Sequence, residues 1–241
     1  MSSLPFPFPQ HETEIVKRRA RILALLCAMD DGFCRTPVAS VQTQTLTRML
    51  RLYDELFLDS LLSKKLPILH VTLSSRLTSS AGKFVCVRGP FGRIKEAEIR
   101  MSSDFLFRLD KGPFELNGLS VSTAQEAFLI VFEHELCHAL ETVLFKQTGH
   151  SQRFLSLARG LFGHTATRHK LPTRRQEAAQ DGLIIGKTVS FSYQGKILSG
   201  FITYIGKSAT VMVPSANGEY RDRAGRRYAK YRVSPDKLRI I

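Results

Sequence analysis

The sequence predicts an α+β domain followed by a small all-β barrel. Apolar residues recur at helical spacing through much of residues 12–161, interrupted between 68 and 101 by three short strand-like runs. After Gly186 the pattern changes to alternation with period two, broken by glycines. Between these stretches, residues 165–181 are polar and basic. The expected layout is an N-terminal tail and helix (1–40), an α+β domain (41–164), a basic linker (165–185) and a small β-barrel (186–241).

In chain order, residues 1–10 interleave Pro with Phe and Leu and cannot stay helical. From Glu12 to Met29, Ile15, Ile22, Leu25, Leu26 and Met29 oppose Lys17, Arg18, Arg19 and Arg21, an amphipathic helix that Asp30-Asp31-Gly32 ends. A second helix is expected from Gln42 to Leu62 on the period of Leu46, Met49, Leu50, Tyr53, Leu56, Phe57 and Leu61, with Pro67 closing the segment. Ile68–Leu73, Gly82–Val87 and Ala97–Met101 read as three strands, with Gly89-Pro90 and Gly92 as turn signals. Asp104–Leu109 reads as a helical turn. Thr123 with Glu126 three residues on is a capping box that opens a helix running to Phe145. That helix is apolar on most sides, so it is expected to be buried. A helix from Gln152 to Leu161 follows, ended by Gly163. The barrel strands are expected at Val189–Tyr193, Ile197–Tyr204, Ala209–Val213, Tyr228–Val233 and Leu238–Ile241. Phe191, Tyr193, Phe201 and Tyr204 read mainly as barrel core.

The chain has 241 residues, 43% hydrophobic and 23% charged, an ordinary composition for a chain with a sizeable core. The net charge of +14 points to a polyanionic partner. It is uneven: residues 165–241 hold 15 Lys+Arg against 5 Asp+Glu. Arg168, Lys170, Arg174 and Arg175 precede the barrel, and Arg221, Arg223, Arg226 and Arg227 crowd one of its loops, a pattern that suits phosphate contacts with DNA or RNA. Cys27, Cys34, Cys86 and Cys137 form no C-x-x-C pair, which argues against a zinc ribbon or thioredoxin-type site and suits a reducing compartment. Cys137 reads as a small core residue. No signal-peptide pattern opens the chain, and no run approaches the ~20 apolar residues of a membrane span. The expected location is the cytoplasm, or the nucleoid or nucleus if the protein works on DNA.

The chemistry centres on His134-Glu135-Leu136-Cys137-His138. Positions i and i+4 share a helix face, so His134 and His138 can hold one metal ion, and Glu135 beside them can reach a water on it. Two histidines and a glutamate on a buried helix are costly unless something pairs or coordinates them. A catalytic zinc needs a third protein ligand and an open position. The position six residues after His138 is Leu144, which excludes the metzincin spacing. Glu177 and Asp181 are the later carboxylates in range, and both fall in the basic linker. His150, behind Gly149 at the start of the next helix, is better placed, with His164 and His169 weaker competitors. Those two read as surface or linker groups.

In order along the chain come Leu52-Tyr53-Asp54-Glu55-Leu56-Phe57, Ser75-Arg76-Leu77-Thr78-Ser79-Ser80-Ala81-Gly82, Glu98-Ile99-Arg100-Met101-Ser102, the H-E-L-C-H motif and Gly149-His150-Ser151-Gln152-Arg153-Phe154. Over residues 44–163 this resembles the SprT-like (Spartan-like) zinc metalloproteases. The resemblance implies a zincin-like domain with a small three-stranded sheet, one zinc ion on His134, His138 and His150, Glu135 as catalytic base, and cleavage of nucleic-acid-bound proteins, as in DNA repair. The chain departs from the family's pattern in one respect: no cysteine follows Cys137, so the C-terminal four-cysteine ribbon of many members is missing. The C-terminal part instead resembles a small SH3-like or KOW-like barrel, with Tyr231-Arg232-Val233-Ser234-Pro235 near its close. In the expected mechanism Glu135 takes the proton of a zinc-activated water as it attacks a peptide carbonyl. The substrate strand is expected along an exposed sheet edge, with Ala97–Met101 as the candidate. The rival reading is a nucleic-acid- or ribosome-binding protein with a structural or vestigial zinc site, for which Glu135 has no use.

Overall fold

A computed structural model describes residues 11–109, 111–167 and 171–241 of the chain. The chain divides into two compact units, Met1–Leu171 and Pro172–Ile241. The architecture is mixed α and β, with small sheets and eight α-helices among the described residues. No described helix is long and apolar enough to cross a membrane.

The first unit opens with α1 (Glu12–Cys27), which buries Ile15, Ile22 and Leu26. The short α2 (Asp31–Cys34) follows directly, because Asp30 caps it by accepting from Phe33 N at 3.1 Å. The single helix expected over Gln42–Leu62 is two: α3 (Thr43–Phe57) and α4 (Leu61–Lys65). Asp59 and Ser60 both take positive φ between them, so the helix breaks there although its apolar period continues.

The three expected strands form one sheet of order β1-β3-β2: β1 (Leu69–Ser74), β2 (Gly82–Arg88) and β3 (Ile94–Ser102). β3 pairs parallel to β1 and antiparallel to β2. Ala97–Met101 therefore lies on the central strand, hydrogen-bonded on both sides. It cannot receive a substrate strand, and that expectation is corrected: the free edges belong to β1 and β2. The turn after β3 is α5 (Ser103–Leu106).

A hairpin not anticipated from the sequence comes next, β4 (Lys111–Leu116) and β5 (Leu119–Thr123). Its turn is Asn117-Gly118, with φ of 51° and 79°, the conformation that Asn-Gly favours. Then α6 (Ala124–Phe145) runs through the core. Its capping box is present as expected, with Glu126 N to Thr123 Oγ1 at 3.2 Å and Thr123 N to Glu126 Oε2 at 3.0 Å. α7 (Gln152–Phe162) ends on Gly163 at φ 72°.

The second unit begins inside the expected linker. Arg174–Gln180 is a helix, α8, with its own capping box between Thr173 and Gln176. Its Ala178 joins the core of the following sheet, so much of the linker is part of a folded unit. That sheet is antiparallel, of order β11-β6-β7-β8-β10-β9, built from β6 (Thr188–Tyr193), β7 (Lys196–Ile205), β8 (Ala209–Pro214), β9 (Tyr220–Arg221), β10 (Arg227–Val233) and β11 (Arg239–Ile240). Val189, Phe191, Ile202, Val211, Val213, Val233 and Leu238 share one core, as the period-two pattern requires. Of the four aromatics expected in it, Phe191 is buried and Phe201 half-buried, while Tyr193 and Tyr204 are exposed.

Candidate metal centre

α6 carries His134, Glu135 and His138, and all but the last are buried. The loop after α6 returns His150 to the same face. His134 Nε2 and His150 Nε2 stand 3.0 Å apart, and one nitrogen from each of His134, His138 and His150 lies within 4.8 Å of the others. Two nitrogens bound to one tetrahedral ion at ~2.05 Å would stand about 3.3 Å apart, so this donor set fits a single small cation. His138 directs Nδ1 at Thr148 Oγ1, 3.1 Å away, which leaves Nε2 to ligate. Burial, then the charge of His150, pushes His138 down to about 4, so its imidazole is neutral and available as a ligand at neutral pH.

Three further residues hold this arrangement. The buried Phe154 ring lies 4.8, 4.6 and 5.0 Å from the His134, His138 and His150 rings, a wall against which all three pack. Glu141 of α6 accepts from Gly149 N at 3.0 Å and from Ser151 Oγ at 3.1 Å, one bond on each side of His150. Ser151 caps α7, so the loop that delivers His150 is fixed at both ends.

Glu135 is 5% exposed and accepts from Phe84 N of β2 at 2.7 Å. Burial pushes its carboxyl up to about 7, with the Phe84 N–H opposing. A carboxyl there gains or loses a proton near neutrality. Its closeness to β2 depends on Gly82, where a Cβ would stand 2.8 Å from Glu135 Cγ and 2.9 Å from Val131 Cγ1.

Behind the histidines lies a buried polar network that the sequence reading did not find. Glu133, fully buried, accepts from Arg19 Nε and Nη2 at 2.8 Å each and from the Tyr53 hydroxyl at 2.7 Å. His164 completes it, with Nε2 2.9 Å from Glu133 Oε2 and Nδ1 3.2 Å from Asn117 Nδ2. Burial alone would raise Glu133, but the Arg19 charge and the bonds from His164 and Arg19 outweigh it and hold the carboxyl at about 2. His164 is thus neither a surface group nor a metal ligand. It sits at 1% exposure as a partner of Glu133, which corrects both expectations. Arg19, which the amphipathic pattern puts opposite the apolar stripe, instead reaches inward to Glu133. The legible signal was Glu133 itself, a further carboxylate beside the H-E-x-x-H motif on a helix apolar nearly all round.

The remaining expected site residues divide. Arg168, His169 and Lys170 lie outside the described residues. Glu177 lies in α8 and Asp181 just after it, both in the second unit, and the only metal-competent cluster among the described residues is the histidine trio. Arg175, Arg221, Arg223, Arg226 and Arg227 are exposed, and Arg174 is half-buried. The register sets Arg221 opposite Arg227, a like-charge cross-strand pair. Arg226 pairs with Asp222 at 2.7 Å, and Arg227 Nε donates to Gly218 O at 2.9 Å. The Lys230 ammonium lies 5.5 Å from the centre of the Tyr220 ring.

Comparison with protein-family models, with curated proteins and with solved structures finds no match to this chain.

Proposed function

We propose that the chain is a zinc-dependent endopeptidase of the SprT-like, zincin type that acts on nucleic-acid-associated proteins. The observation that carries this reading is the convergence of His134, His138 and His150 beside a buried carboxylate, Glu135, whose proton affinity lies near neutrality. A structural metal site has no use for such a carboxylate.

His134, His138 and His150 would hold the ion, and the three-ligand set leaves a position open. Zinc, when bound, supplies an acidified water and a Lewis acid for the scissile carbonyl. Glu135 accepts the proton of the attacking water and passes it to the departing amine. The Phe84 N–H orients the acceptor oxygen while that transfer occurs. Phe84 N faces away from β3, so by strand alternation the N–H and C=O of Cys86 face the same open edge of β2. A substrate strand is assigned to that edge, where backbone bonds would hold it against the site. The arginines of the second unit, the exposed Arg175, Arg221, Arg223, Arg226 and Arg227 with the half-buried Arg174, would bring nucleic-acid-bound substrates near.

The test is purified protein with its zinc content measured, incubated with an unfolded protein and with a DNA-bound one, beside Glu135→Gln. The wild type is expected to cleave. Glu135→Gln should keep its zinc while the rate falls roughly 10²–10⁴-fold, the usual worth of a general base. Zinc retained by a wild type that cleaves nothing, itself included, would overturn the peptidase reading in favour of a nucleic-acid-binding protein with a structural metal.

A further inference from the structure

The β2–β3 hairpin carries a group that nothing so far employs. Its tip is Gly89-Pro90-Phe91-Gly92, and the Phe91 side chain is completely exposed. Phe91 adopts φ 59°, a left-handed conformation that bulky residues rarely take. The tip is nonetheless well determined by backbone bonds: Gly89 N to Arg93 O at 2.7 Å and Gly92 N to Gly89 O at 3.3 Å. The turn therefore holds the ring out into solvent, and Phe91 makes no ring contact among the described residues.

Cations surround it. Arg88, Arg93 and Lys95 are exposed, and no carboxylate pairs with any of them among the described residues. Arg88 is positioned by Gly92 O and by Lys146 O, each 3.3 Å from its guanidinium. The Lys95 stem lies over Gly89, where a Cβ would meet Lys95 Cε at 2.4 Å. The Lys146 contact ties the hairpin to the C-terminal end of α6, and β2 itself holds Glu135 through Phe84 N.

We infer that this hairpin is a nucleic-acid contact on the metal-bearing unit, with Phe91 stacking on an unpaired base and Arg88, Arg93 and Lys95 meeting the flanking phosphates. An aromatic face among unpaired cations is the combination that binds single strands without sequence preference. A lone phenyl ring buries too little apolar surface for stable membrane attachment, and the chain's +14 charge favours a polyanion. The inference rests on the nucleic-acid part of the proposed function and not on its hydrolytic part. Its consequence is that single-stranded nucleic acid is held beside the site, so proteins attached to that strand are the ones presented for cleavage.

The experiment measures fluorescence anisotropy of a labelled oligothymidine strand, and of a duplex of equal length, with the full chain. Phe91→Ala, Arg93→Glu and the double variant Arg221→Glu/Arg227→Glu are compared with wild type, and thermal unfolding verifies that each is folded. Phe91→Ala is expected to weaken single-strand binding roughly fivefold or more, with little effect on the duplex. Arg93→Glu is expected to weaken both and to flatten the salt dependence. If both hairpin variants keep wild-type affinity while Arg221→Glu/Arg227→Glu loses it, the hairpin inference fails and the nucleic-acid reading stands. If wild type binds neither probe, both fail, and peptide cleavage still tests the metal site separately. Phe91-dependent binding to phosphatidylserine vesicles without oligonucleotide binding would overturn the inference in favour of a membrane surface.

Discussion

Gly82 and Asp30 show how single residues set this structure. Gly82 lets the Glu135 carboxylate lie against β2, and a methyl group there would need space that Glu135 Cγ and Val131 Cγ1 occupy. Gly82→Ala is therefore expected to keep the histidine trio and its metal while displacing the base. Displacement by about an ångström costs on the order of 10²-fold in rate, so kcat/KM should fall with zinc content unchanged. Asp30 acts on stability instead. Its carboxylate accepts from Phe33 N at 3.1 Å, Gln42 N at 2.9 Å and Thr45 Oγ1 at 2.5 Å, joining the end of α1 to the start of α3. Burial pushes this carboxyl up, but the bonds from Gln42, Thr45 and Phe33 outweigh it and hold it below the ordinary carboxylate range. Its folded-state value is thus lower than its unfolded one. The stabilisation is complete above the ordinary range and disappears as pH falls through the depressed value. Asp30→Asn should cost about 1–3 kcal/mol in urea unfolding at neutral pH, with the gap to wild type closing in strong acid.

At the scale of elements, the centre depends on how α6 is held. Glu141 anchors the loop bearing His150, and its removal frees that loop while leaving all three histidines in the chain. Glu141→Ala is expected to lower zinc affinity roughly 10–100-fold, measured by competition with a chelator. The buried Glu133 ties α6 to Arg19 of α1 and Tyr53 of α3. Arg19→Met leaves that carboxylate without its main counter-charge, and breaking such a pair costs about 3–5 kcal/mol. Equilibrium unfolding should show that loss, with part of it recovered in Arg19→Met/Glu133→Gln. These contacts also mark the limit of what was legible. The H-E-x-x-H spacing, the capping box and Gly149-His150 were local signals: the structure brings the three histidines together, and the capping box opens the helix that carries two of them. Arg19 and His164 meet Glu133 across long stretches of chain, and no local period distinguishes an inward arginine from a solvated one. The misread Ala97–Met101 has the same origin, since alternation identifies a strand but not its neighbours. The hairpin at Asn117-Gly118 and the helix after Thr173 were legible, by a turn dipeptide and a capping box that were passed over.

The whole chain combines a unit that carries the histidine cluster with a smaller, strongly basic one. Pro172–Ile241 carries 13 Lys+Arg against 5 Asp+Glu, and Met1–Leu171 carries 22 against 16, so charge density is far higher in the second unit. The excess was legible from composition. Its concentration in a folded body that includes α8 was not, because the same residues read equally well as a linker. Each unit has its own apolar core, and the three histidines, Phe154, Glu141 and the Glu133 network all belong to the first. A chain ending at Leu171 is therefore expected to fold, to bind zinc as the full chain does, and to cleave an unfolded protein. Its affinity for nucleic acid should fall, and the slope of log affinity against log salt should shrink by about 0.7–0.9 for each phosphate contact removed. The binding that remains should depend on Phe91, because the β2–β3 hairpin is retained. Anisotropy titrations over a salt series on both chains, with metal content measured in parallel, read these quantities together. Undiminished affinity in the shorter chain would remove the second unit from recruitment. Loss of zinc there would show that the centre depends on residues beyond Leu171.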